Sequence, residues 1–423
     1  MKNLISYYFQ ISFISLILIN HFIEIYLCRR QIKVFKSAEH NPPDEFSHVI
    51  SVEENRKSID YSSTKLLLSQ IRLLFDASLL LYWFPFRGAQ ALYSTILVDG
   101  IHREALFLIL FALIQYGLGL PWSIISTFWI EQKYGFNKST PKLFLKDQIK
   151  GLLLGSVFLV PLLYLVLYLF NSFSQSWWWI SFLVMTSFQF FLIWIYPTWI
   201  APLFNKFTPL DSEELSKGIN TLVQNAGFEA KEIFVMDASK RSSHGNAYFT
   251  GFGKNKRVVF FDTLLKQLKT EEILAILAHE LGHMKLKHIP KSMLASIGFS
   301  FIGFWLMGLM AESSWFYQGH FFKSQSVGIL IFLFTQAIPL YVFWISPFSS
   351  WISRKREFEA DTYAAEQTKS EHLMEALLKL YQQNSSPVIT DKWYSRFYHS
   401  HPPALERIKH LESLKTKTSE TLP

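Results

Sequence analysis

Residues 151–170 read GLLLGSVFLVPLLYLVLYLF, twenty positions without a charge. A helix needs about 20 apolar residues to cross the core of a bilayer, so this stretch reads as a membrane span. The loop before it, 131–150, carries Lys133, Lys138, Lys142, Lys146 and Lys150. The loop after it, Asn-Ser-Phe-Ser-Gln-Ser at 171–176, carries no charge. Basic residues of short loops stay on the cytoplasmic side, so the span starts at the cytoplasm and ends outside. Trp177, Trp178 and Trp179 follow. They fit an interfacial aromatic belt at the outer end of the next span, 177–198.

Working outward, five more stretches qualify, at about 4–27, 66–86, 105–130, 292–312 and 327–348. Arg72 and Asp76 interrupt the second of these, but four residues apart they pair on one helix face. The first is too long for a signal peptide and lacks a small-residue cleavage site. Arg29, Arg30, Lys33 and Lys36 follow it as a stop-transfer flank. Together these give seven spans, with the N-terminus outside and the C-terminus cytoplasmic. Half of the residues are hydrophobic, 40 are Phe, and mean hydropathy is +0.18. The net charge of +8 would suggest nucleic acid in a soluble protein. Here the basic residues sit in loops between apolar blocks, so the bilayer is the expected partner and nucleic acid is not. A single cysteine, Cys28, excludes a disulfide framework and a Cys-based zinc site. Ile25, Tyr26 and Leu27 before it are too bulky for a lipoprotein cleavage site.

Residues 199–291 are the largest segment outside the spans. Glu232 to Met236 and Arg257 to Phe261 read as strands, with Asn246 to Phe252 as a further candidate. A helix is expected from Thr270, a plausible N-cap with Glu271 and Glu272 in its first turn, to about Lys287. It contains His279-Glu280-Leu281-Gly282-His283, the pattern H-E-x-x-H. Residues four apart share a helix face, so both imidazoles can bind one metal ion. Zinc lowers the pKa of a bound water towards about 7, and Glu280 is placed to take the proton as general base. The competing reading is a solvated helix with two ordinary histidines. With 13 His in the chain, chance produces the pattern about 0.02 times, so the metal reading is preferred.

A catalytic zinc takes three protein ligands and keeps one position open. The extended pattern needs Gly and His at 286 and 289, where this chain has Leu286 and Ile289. The third ligand therefore comes from elsewhere, and Arg356-Glu357-Phe358-Glu359-Ala360-Asp361 is the best source. Glu357 and Asp361 share a face; one can bind zinc while the other holds a ligand histidine from behind. Glu359 points elsewhere. The plainer reading is a juxtamembrane helix with solvated charges.

The expected fold is a predominantly α-helical polytopic membrane protein. About seven transmembrane helices carry a cytoplasmic zincin-like α+β catalytic domain. Residues 1–198 hold five spans, 199–291 the catalytic segment, 292–348 spans six and seven, and 349–423 a cytoplasmic tail.

Further pieces are Tyr134-Gly135-Phe136-Asn137, Ser243-His244-Gly245-Asn246-Ala247-Tyr248 and His401-Pro402-Pro403 with Glu406-Arg407. With the H-E-x-x-H and E-x-x-x-D patterns, the chain resembles the integral-membrane type I CAAX prenyl proteases over nearly its whole length. These are zinc endopeptidases that process prenylated proteins. The resemblance implies one zinc ion per chain, with Glu357 joining His279 and His283 as ligand and Asp361 behind. It implies a substrate-facing edge strand around Asn246, with Ala247 and His244 beside it, and an active-site His401 and Arg407. The spans would enclose a large chamber with the zinc site at its cytoplasmic end. The substrate would be a peptide or protein prenylated at a C-terminal CAAX motif. The 28–64 loop and the length are more like bacterial members, which suggests a bacterial cytoplasmic membrane; a eukaryotic host would imply the endoplasmic reticulum.

Roles for the tail follow from the chemistry. Peptide hydrolysis builds an oxyanion, and hydrolytic sites add a protein donor to it. His401, presented on a turn stiffened by two prolines, is the candidate donor. Arg407 is the candidate guanidinium for a substrate carboxylate or carbonyl; the plainer role for both is docking the tail. His244 reads as a substrate contact or a structural residue. A membrane quality-control protease would use the same chemistry on unprenylated substrates. A channel or transporter is the non-enzyme alternative. The intact metal pattern and the lack of repeated halves argue against it.

Overall fold

The computed structural model describes residues 2–40, 42–46, 49–228, 232–250 and 257–420. In chain order, α1 (Lys2–Ser37), α2 (Val52–Trp83), α3 (Ile101–Ile124), α4 (Pro141–Ser172) and α5 (Trp177–Ile195) are the first five membrane helices. A segment outside the spans follows, with β1 (Phe207–Pro209), α6 (Glu213–Asn225), β2 (Glu232–Met236), β3 (Ala247–Thr250), β4 (Arg257–Phe261) and α7 (Thr270–Lys285). Then come α8 (His288–Met310) and α9 (Val327–Gln336), which begin spans six and seven. The chain ends on α10 (Ser346–Gln367), α11 (Ser370–Gln383) and α12 (Ala404–Glu420).

Seven helices among the described residues are long and apolar enough to cross a membrane. Large apolar side chains line their outer faces: Leu153, Val157, Phe299 and Leu294 are all more than half exposed. An apolar belt of that extent is a surface for lipid rather than water. Inside the bundle, Phe332 of α9 is fully buried, with ring centroids of Phe111, Phe84 and Phe107 at 4.8, 5.3 and 5.6 Å. Arg72 and Asp76 pair along α2 at 3.5 Å.

Span limits differ from the hydropathy reading because the helices outrun the bilayer. The second helix begins at Val52, well before 66. Ser51 caps it: its hydroxyl accepts from Glu54 N, and Glu54 Oε2 accepts from Ser51 N at 2.9 Å. The third span ends in a π-helical turn, Ile125–Glu131, just after Pro121. Proline has no N–H to give the ladder, and the wider turn follows that break. Spans six and seven also run almost directly into neighbouring helices at their catalytic ends. Only Leu286 and Lys287 separate α7 from α8. The seventh span runs from Val327 to Gln367 through short helical breaks at Ile338–Val342 and Phe343–Ile345, so α9 leads directly into α10.

The strand order is β1-β2-β4-β3. β2 and β4 are parallel, and β1 and β3 run antiparallel on the two edges. β3 starts at Ala247, one residue after the expected start, and the part of the candidate strand beyond Thr250 lies outside the described residues. Asn246 still joins the ladder through its carbonyl, which accepts from Phe261 N at 2.9 Å. A single core unites sheet and helices: Phe260 of β4, Ile219 of α6, Leu277 and Leu281 of α7, Leu373 of α11 and Leu411 of α12 are all buried together.

Candidate metal centre

α7 starts one residue earlier than its sequence suggested. Lys269 is the N-cap, and its N–H donates to Glu272 Oε2 at 2.8 Å. Glu272 is buried and pairs with Lys379 of α11, which fixes the first turn. Nearly three turns on, α7 meets α10 at Gly282. A Cβ there would lie 3.1 Å from Ala360 Cα and 3.2 Å from the Ala360 carbonyl oxygen. The glycine inside H-E-x-x-H therefore permits the close approach that brings α10 to the two histidines.

At that crossing, His279 Nε2 and His283 Nε2 lie 3.2 Å apart. Glu357 from α10 points between them, Oε2 at 3.5 Å from His279 Nε2 and Oε1 at 3.3 Å from His283 Nε2. The three groups each offer a ligand atom within 4.8 Å of the others. Glu357 is buried, and its Oε2 has no hydrogen-bond partner among the described residues. Two imidazoles and a carboxylate are a donor set that catalytic zinc takes. A buried carboxylate oxygen with no hydrogen bond fits a metal ligand, because an unsatisfied buried group is otherwise costly.

Behind the cluster, Asp361 Oδ1 accepts from His279 Nδ1 at 2.8 Å and is wholly buried. Arg407 is buried as well, and it grips Asp361 with both prongs, Nε at 2.9 Å and Nη2 at 2.5 Å. Its guanidinium thus holds Asp361 rather than facing open space, which differs from the substrate-facing role expected from sequence. Burial alone would lower the Arg407 pKa, but the Asp361 carboxylate outweighs it and raises it further above its ordinary value. Burial also pulls His279 down, yet its hydrogen bonds to Asp361 and Glu357 prevail and raise it to about 9.

His401 stands at the open side. It is the most exposed member of the group at 64%, with Nε2 at 3.5 Å from Glu357 Oε1. The Ser400 hydroxyl lies 3.0 Å from Nδ1; donation there leaves a proton on Nε2, facing the cluster. Beside His401 a cavity of about 480 Å³ opens between α1, α2 and the tail, lined by Gln31, Lys65, Thr390 and Tyr394. Pro403 precedes α12, and its carbonyl accepts from Arg407 N at 3.1 Å, which sets Arg407 one turn into the helix.

His244 lies away from the three ligand groups. It stacks on Phe136 with centroids 4.4 Å apart, and its Nδ1 sits 3.2 Å from Asn384 Oδ1. Its Nε2 is 3.5 Å from Glu131, which also accepts from Tyr61 at 2.6 Å. This clamp joins the loop before β3 to the end of span three, a contact that fits the structural one of the two roles expected for His244. Phe136 and Asn137 serve the same junction: Ser243 N donates to Phe136 O, and Asn137 pairs with Ser242 in an isolated bridge. Asn246 is exposed at the head of the edge strand, its Oδ1 accepting from Ala247 N at 2.8 Å.

The sequence reading set Glu359 aside and gave His288 no role, yet both lie near the cluster. His288 Nδ1 lies 3.0 Å from His283 Nδ1, and His288 Nε2 lies 3.0 Å from Glu359 Oε2. Lys287, a left-handed residue (φ 57°), turns the chain back between α7 and α8 and sets His288 behind His283.

Family comparisons agree with this geometry. Residues 31–206 match the CAAX prenyl protease N-terminal region of five membrane helices, and 209–415 match peptidase family M48. The CAAX prenyl protease 1 homolog of Homo sapiens is 33% identical, the alignment covering 93% of each chain. The CAAX prenyl protease 1 homolog of Arabidopsis thaliana is 34% identical over 97% of this chain and 99% of its own. The crystal structure of S. mikatae Ste24p superposes with a TM-score of 0.88 at 32% identity, covering 96% of this chain and 99% of that one. With the helical bundle, the His–Glu cluster and these similarities in agreement, the chain belongs to peptidase family M48 and is a multi-pass membrane zinc metalloprotease.

Proposed function

We propose that this protein cleaves prenylated proteins near a C-terminal CAAX motif, with one zinc ion held by His279, His283 and Glu357. The convergence of those three side chains beside a sheet edge, at the end of the membrane bundle, carries the reading. When bound, zinc supplies Lewis acidity that polarises a carbonyl and acidifies water. Glu280, next to His279 on α7, takes the proton released on attack and delivers it to the leaving amine. Asp361, clamped by Arg407, keeps His279 in the tautomer with its proton on Nδ1 and its lone pair on Nε2. His401 presents Nε2–H to the developing oxyanion. An extended substrate adds to the free side of β3, where Asn246 and Ala247 meet it. The cavity beside His401 leaves room for residues past the scissile bond.

Curated relatives named for CAAX processing support the substrate class, and those reported above are eukaryotic. They favour the endoplasmic reticulum over the bacterial cytoplasmic membrane that the 28–64 loop suggested. The active site is assigned to the cytoplasmic side from the lysines of 131–150. The deciding experiment offers purified protein a farnesylated CAAX peptide beside its unfarnesylated twin and an unmodified membrane protein. Preferential cleavage of the farnesylated peptide is expected. Equal cleavage of all three would point to membrane-protein turnover instead.

A further inference from the structure

We infer that His288 and Glu359 form a positioning relay that holds the second ligand imidazole, His283, in its metal-binding tautomer. The two ligand histidines need the same thing, a proton on Nδ1 and a lone pair on Nε2. Asp361 provides it for His279 directly. Among the described residues Asp361 makes no hydrogen bond or ion pair with His283; behind His283 stands His288, buried, with its Nδ1 at 3.0 Å from His283 Nδ1 and the ring centroids 5.1 Å apart.

Two imidazole nitrogens at that distance share one proton, and Glu359 decides which ring carries it. An ionised carboxylate only accepts. Glu359 Oε2 lies 3.0 Å from His288 Nε2, so that nitrogen carries the proton and donates. In the neutral ring Nδ1 of His288 is then the acceptor. His283 Nδ1 must donate to it, which leaves the lone pair of His283 on Nε2, facing His279 Nε2 at 3.2 Å and Glu357 Oε1 at 3.3 Å. Every position in the series has one consistent assignment with both rings neutral.

Backbone geometry builds the relay. The left-handed turn at Lys287 folds the first residue of α8 back under the last turn of α7. Glu359 lies two positions past Glu357 on α10, so one helix supplies the carboxylate among the ligand atoms and the carboxylate at the far end of the relay. Arg356 Nη1 donates to Ser292 Oγ at 2.5 Å and ties α10 to the start of α8.

The relay rests on the proposed ligand set, and its test separates the two. Full-length protein in detergent is loaded with zinc and titrated with a chelator. The same variants are loaded with cobalt, whose visible bands report the ligand field. Glu359→Ala and His288→Phe are each expected to lower zinc affinity by about 10–100-fold and to shift the cobalt bands. Glu359→Gln, whose amide oxygen still accepts from His288, is expected to restore both readouts. Because the residues act in series, the double variant is expected to lose no more than His288→Phe alone; additive losses would overturn the series. Glu359 is 42% exposed, so Glu359→Ala remains a folded test should His288→Phe fail to fold. Wild-type affinity and wild-type bands in Glu359→Ala would overturn the relay. His279→Ala and Glu357→Ala run alongside. Metal loss in those two with an intact Glu359→Ala rejects the relay alone, and metal retention in both rejects the ligand set and the relay with it.

Discussion

Glu280 follows His279 directly, is half-buried, and makes no hydrogen bond or ion pair with a described residue. A carboxylate so placed is free to accept a proton, so Glu280→Gln is expected to keep its zinc and lose about 10²–10⁴-fold in turnover. Zinc content and peptide cleavage measured on one preparation check it, and wild-type turnover would remove the assignment. His401→Ala is expected to keep zinc and to lower kcat by about 10²–10³, the size of a lost oxyanion donor; normal kcat would make this histidine structural. Asp361 carries a double duty, since it orients His279 and neutralises buried Arg407. Its loss in Asp361→Ala strands a buried charge, at about 3–5 kcal/mol, besides weakening zinc. Asp361→Ala with Arg407→Leu should recover stability in a thermal melt without recovering zinc. Recovery of neither would show that the pair is not the source of the loss. The pairing of His279 with His283, and of Glu357 with Asp361, was legible because four-residue spacing fixes a helix face whatever the tertiary context. His288 and Glu359 were not, because they meet His283 through one left-handed residue that no periodicity announces.

The crossing of α7 and α10 is where the elements themselves become part of the chemistry. In an exposed helix, Gly→Ala stabilises by up to about 1 kcal/mol. At Gly282 the added methyl would press on the Ala360 backbone, which cannot swing away as a side chain could. Overpacking costs about 1–3 kcal/mol and here outweighs the helix propensity. Gly282→Ala is therefore expected to lower the thermal midpoint and, by pushing Glu357 from the two histidines, to weaken zinc binding. Gly298→Ala on α8, with nothing within 4 Å of its Cβ, should do neither. A Gly282→Ala protein with unchanged midpoint and zinc affinity would mean that the two helices need no such approach. The strands at 232–236 and 257–261 and the helix around H-E-x-x-H could be read from β-branched content and apolar spacing. The ends of the spans could not be read from hydropathy, since α1 and α2 continue as helices into polar sequence. A capping signal was there in Ser51-Val52-Glu53-Glu54, and it marks the true start of α2.

At the scale of the whole molecule, the membrane bundle aims the catalytic side chains. Span seven continues into α10 and delivers Glu357, while α7 turns into span six and delivers the two histidines. The lysine loop belongs to the same end. Lys138 N donates to Arg241 O at 3.1 Å, Asn137 bridges to Ser242, and Arg241 grips Asp147 of α4 at 2.9 and 3.1 Å. The 132–140 loop, the start of α4 and the catalytic segment thus lie on one side of the bilayer, and a single label reports the side of all three. The five lysines are the ground for proposing that this side is the cytoplasm, a proposal that rests on charge distribution alone. The physical tie between loop and site was not legible in the sequence, because it depends on pairings far apart in the chain. Ser139→Cys tests the orientation without removing other thiols, as Cys28, the only native cysteine, is 4% exposed. In sealed microsomes with the cytosolic face outward, the new thiol is expected to react with an impermeant maleimide without detergent. Labelling only after detergent opens the microsomes would turn the molecule over and place the metal centre in the lumen, where a cytoplasmic prenylated protein could not reach it.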